Sequence, residues 1–142
     1  MDNSALPRGL RNHNPLNIRK SGDKWQGMAA QQTDGSFVTF VSNAYGYRAA
    51  FKCLRTHMKR GKMNINDLIK VWAPASDGNN TEAYTRQVVN MTGLSRFVTL
   101  YWTDEESMVS LVHAMAIVEN GMKYLEYIKE DEIRQGYKLA FG

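Results

Sequence analysis

The chain has 142 residues, 43% hydrophobic and 23% charged, with a formal net charge of +4 and a pI near 9.2. That length suits one domain, residues 1–142, with a real core, and no stretch approaches the roughly 18 apolar residues of a membrane span. A single cysteine, Cys53, excludes an internal disulfide, and His13, His57 and His113 are too scattered for a metal site.

Mild basicity suits an anionic partner such as nucleic acid, a lipid surface or a cell-wall polymer. The middle cluster Lys52, Arg55, Lys59, Arg60 and Lys62 falls at helical spacing and reads as a solvated helix face, so nucleic-acid binding is not the expectation. The opening residues MDNSALPRGLRNHNP carry no apolar run of an export signal. The expectation is a protein that is either cytoplasmic or released by some route other than that signal.

Residues 1–24 read as polar and irregular. Two β-prone runs follow, 25–33 and 36–41, with Asp34-Gly35 between them as a hairpin-turn signal. From about Ala44 the pattern turns helical: Ala50, Phe51, Leu54 and Met58 share a face, and Gly61 stops it. Cys53 in this stretch reads as a small buried hydrophobe. Ile65, Leu68, Ile69 and Trp72 mark the next helix, with Asn64 as cap and Pro74 as stop. A third helix is expected from Thr81 toward Met91, with Tyr84 and Val88 on one face and Gly93 beyond it. For the fourth, Thr103 and Glu106 form a capping-box pattern, and Met108, Leu111, Val112 and Met115 mark an apolar stripe. Asn120-Gly121 ends it. A last amphipathic stretch should place Met122, Leu125 and Ile128 inward and residues 129–132 outward.

The stripe of the fourth helix runs on to Glu119. A carboxylate sheltered at that position is desolvated and lies near the negative end of the helix dipole; both effects raise its pKa. A glycosidase general acid needs such a group. The competing reading is a glutamate in a fraying last turn that points to water.

The stretches RNHNPLNIRKSGDKWQG (11–27) and FVTFVSNAYGYRAAFKCL (37–54) resemble a segment of phage and prophage virion-associated proteins. They are also similar to the autolysin and flagellar-type N-acetylglucosaminidases of the lysozyme superfamily. APASDGNNTEAYTRQV (73–88) resembles those enzymes' cleft-tyrosine segment, with Tyr84 at the tyrosine. LVHAMAIVENG (111–121) resembles their helix ending in the catalytic glutamate, which in them precedes the asparagine-rich segment. The resemblance spans residues 8–121 and implies a circular permutation in which the acid-bearing helix comes last. Chain ends in compact domains often lie close together, so the same site can be assembled.

The resemblance implies a mainly α domain of α+β type, lysozyme-like, with one small β-hairpin near the N-terminus. It implies a peptidoglycan glycosidase, of hydrolase or lytic transglycosylase type, with peptidoglycan glycan strands as partner and neither cofactor nor metal. Glu119 is then the general acid. Tyr84 either steadies charge on the sugar or is a half-buried core tyrosine. Asn14 and Asn17 either bind sugar amides or build the loop. Asn80 is a further candidate for substrate contact. Trp25 and Trp72 could stack on sugar, with core packing preferred for Trp72. Arg48, beside Gly46, could pair with a buried acid. Asp34 and Asp23 are candidates for a second carboxylate, although both sit in turn-forming contexts. The alternative function is a non-catalytic virion or secretion-machine protein that keeps the fold and binds glycan.

Overall fold

The computed structural model describes residues 5–142. Six α-helices run in order: α1 (Arg8–Arg11), α2 (Asn43–Lys59), α3 (Ile65–Trp72), α4 (Thr81–Thr92), α5 (Glu105–Asn120) and α6 (Glu130–Phe141). Short 3-10 turns cover Ala75–Asp77 and Met122–Tyr127. The mainly helical expectation holds, and α2, α3 and α4 start within a residue of the positions read from the sequence.

The core forms where the apolar periodicity dictates. Ala50, Phe51 and Leu54 of α2, Leu68 and Ile69 of α3, and Met108, Leu111, Val112 and Met115 of α5 are all fully buried. Asn64 caps α3 by accepting from Asp67 N, and Gly93 ends α4 at φ 71°. The broadest helix contact joins α2 to α6. It is close because Gly136 of α6 lies against Tyr47 and the α2 backbone, where an added Cβ would stand 2.6 Å from Tyr47 Cβ. Edge-to-face aromatics finish that interface, with Phe51 5.4 Å and Phe141 5.0 Å from Tyr137.

Four expectations require correction. The first is the hairpin. Among the described residues there is no paired strand ladder, only two isolated antiparallel bridges, Arg19 with Phe37 and Met28 with Phe40. Segment 36–41 is extended, but it lies between two neighbours: Val38 N bonds Ile18 O on one side, and Ala29 N bonds Thr39 O on the other. Side chains replace the missing ladder. Gln32 brackets Thr39, accepting from its N–H at 2.8 Å and donating to its carbonyl at 2.9 Å. Asp34 Oδ1 accepts from Ser36 N and Phe37 N.

Second, α5 is capped by Asp104, not Thr103: Asp104 accepts from Ser107 N, and the helix begins at Glu105. Third, the last amphipathic reading is too simple. Ile128 is buried, but Met122 and Leu125 are 60% and 45% exposed, because a 3-10 turn has three residues per turn and rotates them outward. Fourth, residues 8–11 are helical rather than irregular.

Candidate active site

Glu119 lies in the last turn of α5, partly buried, and two donors hold its carboxylate. Tyr84 Oη of α4 donates to Oε2 at 2.8 Å, and Asn17 Nδ2 donates to Oε1 at 2.9 Å. Residues 35 and 102 positions away in sequence thus meet on one side chain. Burial pushes the Glu119 carboxyl above the ordinary carboxylate range. The Asn17, Tyr84 and Trp72 side chains and the charge of Arg19 oppose that shift by favouring the ionised form. Tyr84, 6% exposed, stays a phenol: burial first, then the neighbouring Glu119 charge, raise its pKa well above the usual value.

Asn17 reaches the site because its backbone is left-handed, φ 55°, a conformation that asparagine tolerates better than most residues. Asn14 sets that turn. Its Oδ1 accepts from Ile18 N, and its Nδ2 donates to Ile18 O and Val38 O. Asn14 is 0% exposed, so the expectation that it contacts substrate is corrected: it builds the loop. Asn120 fastens the loop to α5, donating to Pro15 O at 2.8 Å and Ala116 O at 2.9 Å. Helix α1 closes over this joint at Gly9. A Cβ at Gly9 would meet Asn120 Oδ1, Asn14 O and Asn17 Oδ1, all within 2.9 Å.

The other predicted residues lie apart from Glu119. Asn80 caps α4 by accepting from Ala83 N at 3.0 Å and borders a hollow of about 570 Å³ with Lys70, Thr85 and Arg96. Trp25 lines a groove of about 580 Å³ with Arg48, Lys52, Arg55 and His57. Cys53 also borders that groove; burial holds its thiol at about 11, so it is an unreactive thiol rather than a nucleophile. Glu119 belongs to the wall of neither hollow. Trp72 joins the regions: it acts on the Glu119 carboxylate, and its ring stands edge-to-face with His57, 6.4 Å between centroids.

The proposed second carboxylates are engaged elsewhere. Arg8 grips Asp34 with Nε at 2.5 Å and a second nitrogen at 2.7 Å, and Asn12 adds a third bond. The Arg8 bond leads in holding Asp34 far below the ordinary range. It is therefore a permanently ionised turn anchor, neither a base nor a free nucleophile. Asp23 accepts from Ser21 Oγ at 3.0 Å. None of the groups acting most strongly on Glu119 is a carboxylate.

No protein-family model matches the chain. It is, however, 37% identical over 138 residues to Protein P5 of Pseudoalteromonas phage PM2, covering 94% of this chain and 82% of that protein. The chain belongs to the family of Protein P5. The relative is a phage protein, in keeping with the expected phage connection. Among the described residues no helix of the P5-family chain is long and apolar enough to cross a membrane, and no cluster of His, Cys, Asp and Glu fits a metal ion.

Sequence reasoning missed two members of the site. Asn120 read only as a helix stop, yet it ties α5 to the loop. Trp72 read as core, yet its indole N–H faces the acid. The signal for Asn120 was its place beside Glu119 in a chain whose N-terminal loop is rich in asparagine.

Proposed function

We propose that this chain is a lysozyme-like, circularly permuted glycosidase of peptidoglycan, with Glu119 as its general acid. The observation that carries the reading is the Glu119 carboxyl itself: burial raises its pKa, and a phenol and an amide from distant segments fix its position. A carboxyl whose pKa is raised keeps its proton to higher pH than an ordinary glutamate and can donate it to the glycosidic oxygen between two amino sugars. As the C1–O bond breaks, the proton moves to the leaving oxygen and Glu119 becomes a carboxylate. Asn17 and Tyr84 then stabilise that new charge with the bonds already formed, so the chemistry needs little reorganisation.

No carboxylate stands among the groups that act most strongly on Glu119, which suits the lytic transglycosylase variant, a reaction that needs no second carboxylate. There the muramic acid 6-hydroxyl attacks C1, its proton returns to Glu119, and a 1,6-anhydro ring closes. Either form suits a phage protein that opens the cell wall.

A second reading has its own support. Both Glu119 oxygens already bond the protein, and Glu119 is in the wall of neither hollow described. On that reading Glu119 is a structural clasp and the chain a non-catalytic virion component. Incubation of purified sacculi with wild type and Glu119→Gln separates the two. The glycosidase reading expects wild type to release soluble muropeptides, with anhydro ends by mass spectrometry, and Glu119→Gln to release none. Equal release by both proteins, or by neither, overturns it.

A further inference from the structure

The groove beside Trp25 has a chemistry that the glycosidic step does not use. Arg48, Lys52 and Arg55 project from α2 at i, i+4 and i+7, one face of one helix, and Lys24 joins them from the facing loop. Asp23 is the only carboxylate in that wall, so four cations face one anion. None of the four cations has a carboxylate within ion-pair distance among the described residues. Crowding shows at Lys52, whose pKa is lowered by burial first and then by Arg55, Arg48 and Lys59. His57 at the inner end is held neutral by burial and by Arg60, so it adds no charge near pH 7.

Two polar atoms here are buried and unbonded: Trp25 Nε1 and Arg48 Nε. Both are donors with no acceptor capacity. Each is closed off from solvent and belongs to the packing beneath the groove; it is the excess of cations over Asp23 that calls for a ligand rich in acceptor oxygens. The hollow, about 580 Å³, has the size of a pocket for a few residues or sugars. His57 in its wall stands edge-on to Trp72, whose indole acts on Glu119.

We propose that this groove receives the carboxylate-bearing peptide branch of peptidoglycan, held by Arg48, Lys52 and Arg55 while the sugar chain lies at Glu119. The proposal rests on the glycan reading of Glu119 and adds a requirement for the peptide. A nucleic-acid backbone is the less suitable occupant: the cations occupy one short face of α2 with Lys24 beside it, not a long stripe that a duplex could follow.

The test uses full-length Glu119→Gln and two fragments, a disaccharide-tetrapeptide and the same disaccharide without peptide, with binding measured by calorimetry. The peptide-bearing fragment is expected to bind about tenfold or more tightly than the bare one. Lys52→Gln with Arg55→Gln should erase that difference, and Lys52→Arg should keep it; melting curves confirm that each variant is folded. Equal affinity for both fragments, no binding of either, or an unchanged preference in the double variant overturns the proposal. So does a DNA oligonucleotide that binds through Lys52 and Arg55 while the fragments do not. Failure of the two readings is separable. If wild type cuts peptide-free strands as fast as intact sacculi, the groove proposal falls and the glycosidase stands. If wild type cuts nothing while the peptide-bearing fragment still binds through Lys52 and Arg55, the reverse holds.

Discussion

At the scale of single residues, the site depends on two side chains that break ordinary rules. Glu119 is an acid on an apolar stripe, and Asn17 has a left-handed backbone. The first was legible in the sequence because a carboxylate interrupted the series Met108, Leu111, Val112, Met115. The second was not, since no local pattern announces that a loop asparagine will turn through φ 55° to meet a helix 102 residues away. The sign of the Glu119 titration gives a prediction. Its folded pKa is raised, so the folded state prefers the protonated form. The stabilisation is complete below the unfolded value near 4.5 and is lost as pH rises through the higher folded value. Glu119→Gln has no such loss. Its stability relative to wild type should therefore increase between pH 4 and pH 8, as chemical denaturation at both pH values will show; a constant difference would mean that the carboxyl titrates normally. Asn17 offers a paired test. Asn17→Gly keeps the backbone and removes the donor to Glu119. Asn17→Ala removes the donor and adds left-handed strain of about 1–2 kcal/mol. On the proposed glycosidase reading, both should shift the alkaline limb of the activity profile upward, because a group that favoured the carboxylate is gone, but only the alanine variant should lower the melting temperature beyond that.

Among the elements, α3, α4 and α5 were readable because each carries an apolar stripe with a stop signal, and stripe and stop act locally. The extended region was misread because Asp34-Gly35 was taken to join two partners. In the fold Asp34 is tied to Arg8 and to its own following amides, and segment 36–41 finds neighbours on both sides. Turn chemistry was correctly seen; which segments it would pair depends on contacts that no short window contains. The cap of α5 shows the same limit at one-residue resolution. Thr103 and Asp104 are both cap formers, and Asp104 takes the place, bonding Ser107 N at 3.3 Å and Ser107 Oγ at 2.8 Å. Asp104→Ala should cost about 1 kcal/mol, a fall of about 4 °C in melting temperature, whereas Thr103→Ala should stay within about 0.5 kcal/mol. The reverse order in thermal unfolding would restore Thr103 as the cap.

Across the whole molecule, the fold divides its tasks. The site is assembled from the N-terminal loop, the end of α3, α4 and the end of α5, whereas α2 and α6 form the broadest packing surface. The proposed permutation needs α5 to meet the first loop, and Asn120 and Gly9 fasten the two together. This division can be tested at Gly136. A Cβ there would lie 2.6 Å from Tyr47 Cβ, 2.9 Å from Ala44 O and 3.0 Å from Arg48 N. Two of these atoms are backbone and the third is a Cβ, so none can swing aside as a side-chain tip would; α6 must move off α2. Gly136→Ala should therefore destabilise the fold by about 1–3 kcal/mol, read as a lower denaturant midpoint. Yet α2 and α6 supply none of the groups that act most strongly on Glu119. At temperatures where the variant remains folded, the pH at which Glu119 titrates should match wild type, followed by carbon-13 NMR of the labelled carboxyl. A titration displaced together with the midpoint would show that packing at the α2–α6 interface is transmitted to the acid and that the two parts of the molecule are not independent.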